Sequence, residues 1–326
     1  SLPHSMSRTL PATPEAIAEA AALLRSGGLV AMPTETVYGL GARALDPVAV
    51  ARIYAAKQRP ATSPLIAHVE SVEQARSLLL EWPEVAQRLA EAFWPGPLTL
   101  VLPKAPHVPD VLSGGGPRLG VRLPAHPVAL ALIRALGEPI AAPSANRFMQ
   151  LSPTRAEHVE RGLGDQVDLI LDGGDCAFGI ESTVVRLEPD GATLLRPGAI
   201  PVALIESVLG QPLRRAPAID VRDGHAQDSP GLHERHYAPR TPMFLYQQGQ
   251  ALPPGRGGML ALSNSNAETA YRVQMPENAA DYARRLYAEL HALDCAGLDW
   301  IAVEAPPADP SWAAVHDRLR RAAHAG

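Results

Sequence analysis

The chain has 326 residues, of which 46% are hydrophobic and 19% charged, so it is long enough for two domains with sizeable cores and too apolar to be disordered. Its net charge of −5 excludes a global basic field that would draw it to nucleic acid or an anionic membrane. Two cysteines, Cys176 and Cys295, form neither a disulfide framework nor a CxxC metal pattern, which points to a reducing, cytosolic compartment. No apolar run reaches 18 residues and no signal peptide is evident; Met6 reads as the natural start, with Ser1–Ser5 an addition. The basic residues are lopsided: all are Arg except Lys57 and Lys104.

Thr13-Pro14 reads as N-cap and first turn of a helix to Arg25, closed by Gly27-Gly28. A short strand, Leu29–Met32, runs into Pro33-Thr34-Glu35-Thr36. Asp46-Pro47 caps a helix to Lys57, and Pro64–Val69 is a strand. Helices follow at Ser71–Leu80 and Glu84–Phe93, then strands at Leu98–Leu102 and Leu119–Leu123 and a helix at Val128–Leu136. Strands at Pro139–Ala142, Val167–Leu171, Thr183–Leu187 and Thr193–Arg196 alternate with helices at Pro153–Arg161 and Pro201–Leu209. Such alternation predicts an α/β sheet, mixed parallel and antiparallel, covered by helices. From 211 to 242 the pattern fails, and this stretch reads as a linker. A second α/β unit occupies 243–326, with strands at Met243–Tyr246, Gly258–Leu262 and Trp300–Val303 and helices at Asn278–Ala292 and Ser311–Ala323.

Polar residues of the first unit cluster at predicted strand ends, where open α/β sheets bind ligands. There is no Walker loop, no GxGxxG, no zinc spacing and no GxSxG elbow. What remains is anion chemistry: Lys57 and Arg59, Arg118 and Arg122, Arg196, and hydroxyls beside Gly and Pro turns. The residues by themselves indicate a phosphorylated ligand, a carboxylated one, or both.

Nine segments appear in order: Pro33–Gly41 (PTETVYGLG), Lys57-x-Arg59-Pro60, Pro64-Leu65-Ile66-x-His68, Trp94–Thr99 (WPGPLT), Gly120-Val121-Arg122-x-Pro124, Pro143–Asn146 (PSAN), Ser152-Pro153-Thr154, Glu181-Ser182-Thr183 and Arg196-Pro197-Gly198. Over about residues 14–210 this series resembles the YrdC/Sua5 family. Ser229–Leu232 with His233-x-Arg235-His236-Tyr237-Ala238-Pro239 resembles the join of its longer, Sua5-type members, and the tail resembles their small domain. The resemblance implies a YrdC-like open twisted mixed sheet over 14–210, a linker or lid over the active site at 211–242, and a small Rossmann-like α/β domain at 243–326.

It further implies threonylcarbamoyl-AMP synthase activity, a nucleotidyltransferase reaction. L-threonine, bicarbonate and ATP would give threonylcarbamoyl-adenylate and pyrophosphate. Partner proteins would pass the product to tRNA for t6A modification at position 37, so no direct stable tRNA binding is expected. Magnesium would accompany ATP. By resemblance Arg122 anchors the threonine carboxylate, and Thr36, His68, Ala142 and Ser182 line its pocket. Lys57 and Arg59 would serve catalysis and bind ATP, with Ser63, Arg118, Ser144, Asn146, Ser152, Arg196, His236 and Tyr237. Several have a second, structural reading: His68 as a core histidine, Lys57 as a charge on a helix C-terminus, Ser152 as an N-cap. Glu35 and Glu181 either meet the metal or brace their loops. Arg118, Ser63 and the loop at 147–151 depart from the family pattern, the last by lacking its glycine. The competing functions are an RNA-binding accessory factor, a carbamoyl-adenylate enzyme of the hydrogenase-maturation type, and a sensor without turnover.

Overall fold

A computed structural model describes residues 8–216, 235–264 and 267–323. Ser1–Ser5, Met6 and the Ser229–His233 segment lie outside the described residues.

The first unit is one eleven-stranded mixed sheet in the order β1-β8-β2-β3-β7-β4-β6-β5-β9-β10-β11. The strands are β1 (Arg8–Pro11), β2 (Val30–Met32), β3 (Gly39–Arg43), β4 (Ile66–His68), β5 (Leu98–Pro103), β6 (Arg118–Arg122), β7 (Ile140–Ala141), β8 (Leu169–Asp172), β9 (Thr183–Glu188), β10 (Gly191–Arg196) and β11 (Arg214–Arg215). Helices α1 (Pro14–Arg25), α2 (Pro47–Lys57), α3 (Val72–Ser77), α4 (Glu84–Phe93), α5 (Pro127–Leu136), α6 (Ala156–Leu163) and α7 (Val202–Leu209) accompany it. The caps form as the sequence requires. Thr13 accepts from the Ala16 amide at 3.1 Å, Asp46 accepts from the Val48 and Ala49 amides, and Gly137 closes α5 at φ 77°.

Four strands differ from the sequence reading. The sheet begins at β1 and ends at β11, so the first unit reaches Arg8 and Arg215 rather than stopping at 14 and 210. The third is β3, which carries two glycines and so lacks strand propensity. Both glycines are required by close approach. A Cβ at Gly39 would stand 2.9 Å from the Ala142 Cβ, and one at Gly41 would stand 3.0 Å from the Val30 carbonyl. The fourth is β14, in the second unit.

That second unit is an all-parallel sheet in the order β12-β15-β13-β14. Its strands are β12 (Met243–Tyr246), β13 (Gly257–Ala261), β14 (Tyr271–Gln274) and β15 (Trp300–Glu304); its helices are α8 (Ala279–Asp294) and α9 (Ala313–Ala322). The core under α8 and α9 takes in Val37, Leu151 and Ile180 of the first unit together with Tyr237. The two units therefore share a packed apolar cluster, and their joint lies beside the polar motifs.

Candidate active site

The middle of the large sheet narrows, because β4 has three residues and β7 two. On β4, Ile66 and His68 share a face by the two-residue period, and Arg122 stands beside His68 in the parallel register. A small cavity of about 50 Å³ opens on that face. Ten of the fifteen residues selected from the sequence line it: Thr36, His68, Arg122, Ala142 and Ser182 of the expected threonine group, and Arg59, Ser144, Arg196, His236 and Tyr237 of the expected ATP group; Glu181 lines it as well. Lys57, Ser63, Arg118, Asn146 and Ser152 do not line it.

Arg122 is the centre of the first group and is 3% exposed. Its Nη1 donates to Glu35 Oε1 at 2.6 Å; its Nη2 donates to Thr36 Oγ1 at 3.2 Å and to His68 Nε2 at 3.3 Å. A guanidinium has five N–H donors. Three are engaged, which leaves the Nε hydrogen and one Nη1 hydrogen without a partner among the described residues. Because Arg122 can only donate, His68 Nε2 accepts, and the ring proton sits on Nδ1, facing the Ile66 carbonyl at 3.2 Å.

Burial, reinforced by the neighbouring Arg122, holds His68 down to about pKa 3. A neutral imidazole with its free nitrogen engaged orients Arg122; it is not a base at neutral pH. The unfolded chain takes up this proton near pH 6.5, and the folded chain refuses it until about pH 3. Between those values the unfolded state binds more protons, so stability falls as pH drops. His158, held to about 3 chiefly by burial, acts in the same direction. The midpoint of urea unfolding is expected to be lower at pH 5 than at pH 7.5, and His68→Gln should shrink that difference.

In the second group two buried guanidiniums face the cavity. Arg59 donates to the Ser63 carbonyl at 3.3 Å and the Pro64 carbonyl at 2.7 Å, both neutral. Burial first, and the repulsion of Arg196 besides, draw its pKa down to about 10. Arg196 donates to the Ser182 carbonyl and hydroxyl, each at 3.1 Å, and that hydroxyl meets Thr99 Oγ1 at 2.8 Å. The hydrogen-bond partners of both guanidiniums are neutral, although Arg196 also feels the Glu181 carboxylate, and the pair favours a further anion in the cavity. Beside them the Tyr237 hydroxyl is buried and lacks a hydrogen-bond partner among the described residues.

Lys57 supports this wall from behind. It is 1% exposed, and its Nζ donates to the Ser144 and Asn146 carbonyls at 2.5 Å each. Burial, with Arg59 close by, drives its pKa well below the ordinary lysine value. In this arrangement it ties the 144–146 loop to the end of α2. Asn146 donates to the Arg147 and Gln150 carbonyls, and its Oδ1 is buried without a partner among the described residues, as is the Ser63 hydroxyl. Arg118 opens β6 opposite Pro103. The 147–151 loop reaches its turn without glycine: Met149 itself takes φ 69°, a position that costs a side chain about 1–3 kcal/mol. Phe148 lies under the Arg59 guanidinium at 5.7 Å and edge-on to His236, and the Ala238 amide donates to the Met149 carbonyl. His236 and Tyr237, from the linker, are thereby packed into the cavity wall.

Both nearby carboxylates are already engaged. Glu35 accepts from Arg122 and from the Ala125 amide at 2.5 Å. Glu181 accepts from Ser152 Oγ at 2.6 Å, from the Tyr287 hydroxyl at 2.8 and 2.9 Å, and from Arg318 Nε at 2.8 Å. Ser152 therefore serves Glu181. Tyr287 and Arg318 belong to α8 and α9, and sequence reasoning did not select them. No group of three metal-ligating side chains suited to an ion occurs among the described residues, and no described helix is long and apolar enough to cross a membrane.

Comparison with known proteins gives the family. Residues 22–198 match the Sua5/YciO/YrdC family model, described as "Telomere recombination", and residues 200–324 match one described as "Threonylcarbamoyl-AMP synthase, C-terminal domain". A threonylcarbamoyl-AMP synthase of Pyrococcus abyssi is 42% identical over 315 residues, covering 93% of this chain and 92% of that protein. One of Bacillus subtilis is 40% identical over 334 residues, covering 94% and 92%. The crystal structure of P. abyssi Sua5 complexed with L-threonine superposes with a TM-score of 0.87 at 38% identity, covering 98% of this chain and 97% of that one. The chain thus belongs to the Sua5/YciO/YrdC family and carries both domains of its threonylcarbamoyl-AMP synthases.

Proposed function

We infer that the protein is an L-threonylcarbamoyl-AMP synthase, a nucleotidyltransferase serving tRNA t6A modification. The observation that carries this is one cavity lined by three buried guanidiniums, which we read as two anion-receptive halves, one at Arg122 and one at Arg59 and Arg196. The first half suits the threonine carboxylate, through the two donors that Arg122 retains. The similarity to a structure holding L-threonine supports this assignment. Thr36 and Ser182 offer hydroxyls for the amino acid's polar groups, and Ala142 is small enough to leave room for its methyl.

ATP is the proposed occupant of the second half. The threonine amine combines with bicarbonate, losing water, to give a carbamate. A carbamate oxygen attacks the α-phosphorus, the bond to the bridging oxygen breaks, and pyrophosphate leaves. Positioning and charge neutralisation then account for catalysis, with Arg59 and Arg196 facing the developing charge. Magnesium is proposed to enter on the phosphates of ATP as part of that substrate, which accords with Glu35 and Glu181 being occupied by protein donors. Partner proteins are proposed to move the product to tRNA.

The test is direct. The full chain is incubated with ATP, bicarbonate, magnesium and each amino acid in turn. Pyrophosphate release and product mass are expected with threonine above the amino-acid-free control. Equal release in both would refute the reading.

A further inference from the structure

Arg318 is the largest fully buried side chain described, 1% exposed, and lies on α9 of the second unit. A helix reading Asp317-Arg318-Leu319-Arg320-Arg321 would ordinarily turn its arginines to water. Instead Asp317 accepts from Arg318, Arg320 and Arg321, and this pins the first of them inward.

Its two remaining contacts fall at telling places. Nε donates to Glu181, the residue before Ser182, and Nη1 donates at 2.7 Å to the carbonyl of Pro197, the residue after Arg196. Arg196 and Ser182 are themselves joined by two hydrogen bonds inside the cavity. One guanidinium from the second unit thus grips both flanks of the pair. Its carbon also lies 5.1 Å from the centre of the Tyr237 ring, another cavity wall. Tyr287, from α8, donates to both oxygens of Glu181. Burial alone would raise the Glu181 carboxyl, but Arg318, Arg196 and the Ser152 hydroxyl outweigh it and hold the group below the usual range, so Glu181 stays charged.

We propose that Arg318 and Tyr287 are positioning residues for the adenylate-forming step: through Glu181, Pro197 and Tyr237 they set the Arg196–Ser182 pair, making the second domain a working part of the active site. This rests on the reaction inferred above. The threonine anchor at Arg122 is not among their contacts, and only Ser182 links the pair to the amino acid, so turnover should fall further than threonine affinity.

The experiment uses the full chain, with Arg318→Gln and Tyr287→Phe. Threonine affinity is read by calorimetry without nucleotide, and steady-state kinetics by pyrophosphate release. Both variants are expected to keep most of their threonine affinity, with turnover lower by about 10- to 100-fold, the cost of a small misplacement of a catalytic group. Arg318→Lys, which can still meet Glu181, should recover part of the loss. If Arg318→Gln fails to fold, Tyr287→Phe carries the test, because it removes one hydroxyl and leaves no charge unpaired. Unchanged turnover in the folded variants would overturn the proposal. So would a fall in threonine affinity as large as the fall in turnover, which would indicate a role in the fold alone. Failure of the unsubstituted chain to release pyrophosphate would instead refute the reaction.

Discussion

Arg122→Ala is expected to lower threonine affinity, and threonine-dependent pyrophosphate release with it, by roughly 100- to 10,000-fold. That range follows from losing two hydrogen bonds to a charged group at about 1.5–3 kcal/mol each. A second effect accompanies it. Arg122 and Glu35 form a buried ion pair, each 3% exposed. Removing one partner of such a pair costs about 3–5 kcal/mol of stability, because the other is left charged and dry. The two effects are separable. Arg122→Ala combined with Glu35→Gln should recover much of the stability, read by thermal unfolding, and none of the threonine binding, read by calorimetry. Arg122→Lys should remain impaired, since an ammonium cannot serve Glu35, Thr36, His68 and a carboxylate together. Undiminished threonine affinity in a folded Arg122→Ala protein would show the anchor to be elsewhere.

Arg59→Ala should act on the other substrate. Its guanidinium is buried against neutral carbonyls and repelled by Arg196, and a phosphate arriving between them relieves both. Loss of one to two charge-assisted hydrogen bonds predicts a KM for ATP higher by about 10- to 1,000-fold. Threonine affinity measured without ATP should be unchanged, as Arg59 touches none of the Arg122 group. A matching loss of threonine affinity would merge the two halves of the cavity into one site.

What could be read from the sequence was whatever local chemistry decides. Thr13-Pro14 and Asp46-Pro47 announce helices because capping and proline act over three or four residues. Strand β3 was illegible because Gly39 and Gly41 answer to Ala142 and Val30, which only the folded sheet brings near. Most of the cavity wall was legible through its motifs. Those motifs did not separate residues that line the cavity from those that support it. Lys57 and Ser152 sit among the former in sequence and among the latter in space. Arg318 and Tyr287 gave no local signal, because their meaning comes from a carboxylate more than a hundred positions away. Within the expected linker over 211–242, Arg214–Arg215 pair with the large sheet, while His236 and Tyr237 stand in the cavity wall as the lid reading has them.

The near-absence of lysine gives the buried ammonium a use in labelling chemistry. An acylating reagent can meet only two lysine side chains in this protein. Lys104 has a side chain 11% exposed and paired with Asp110. Lys57 is sealed beneath the Ser144 and Asn146 carbonyls, and because burial is the main cause of its lowered pKa, it reacts as an ordinary lysine only when uncovered. Mass added at residue 57 would therefore record how often the 144–146 loop lifts, and Lys104 would supply the internal standard.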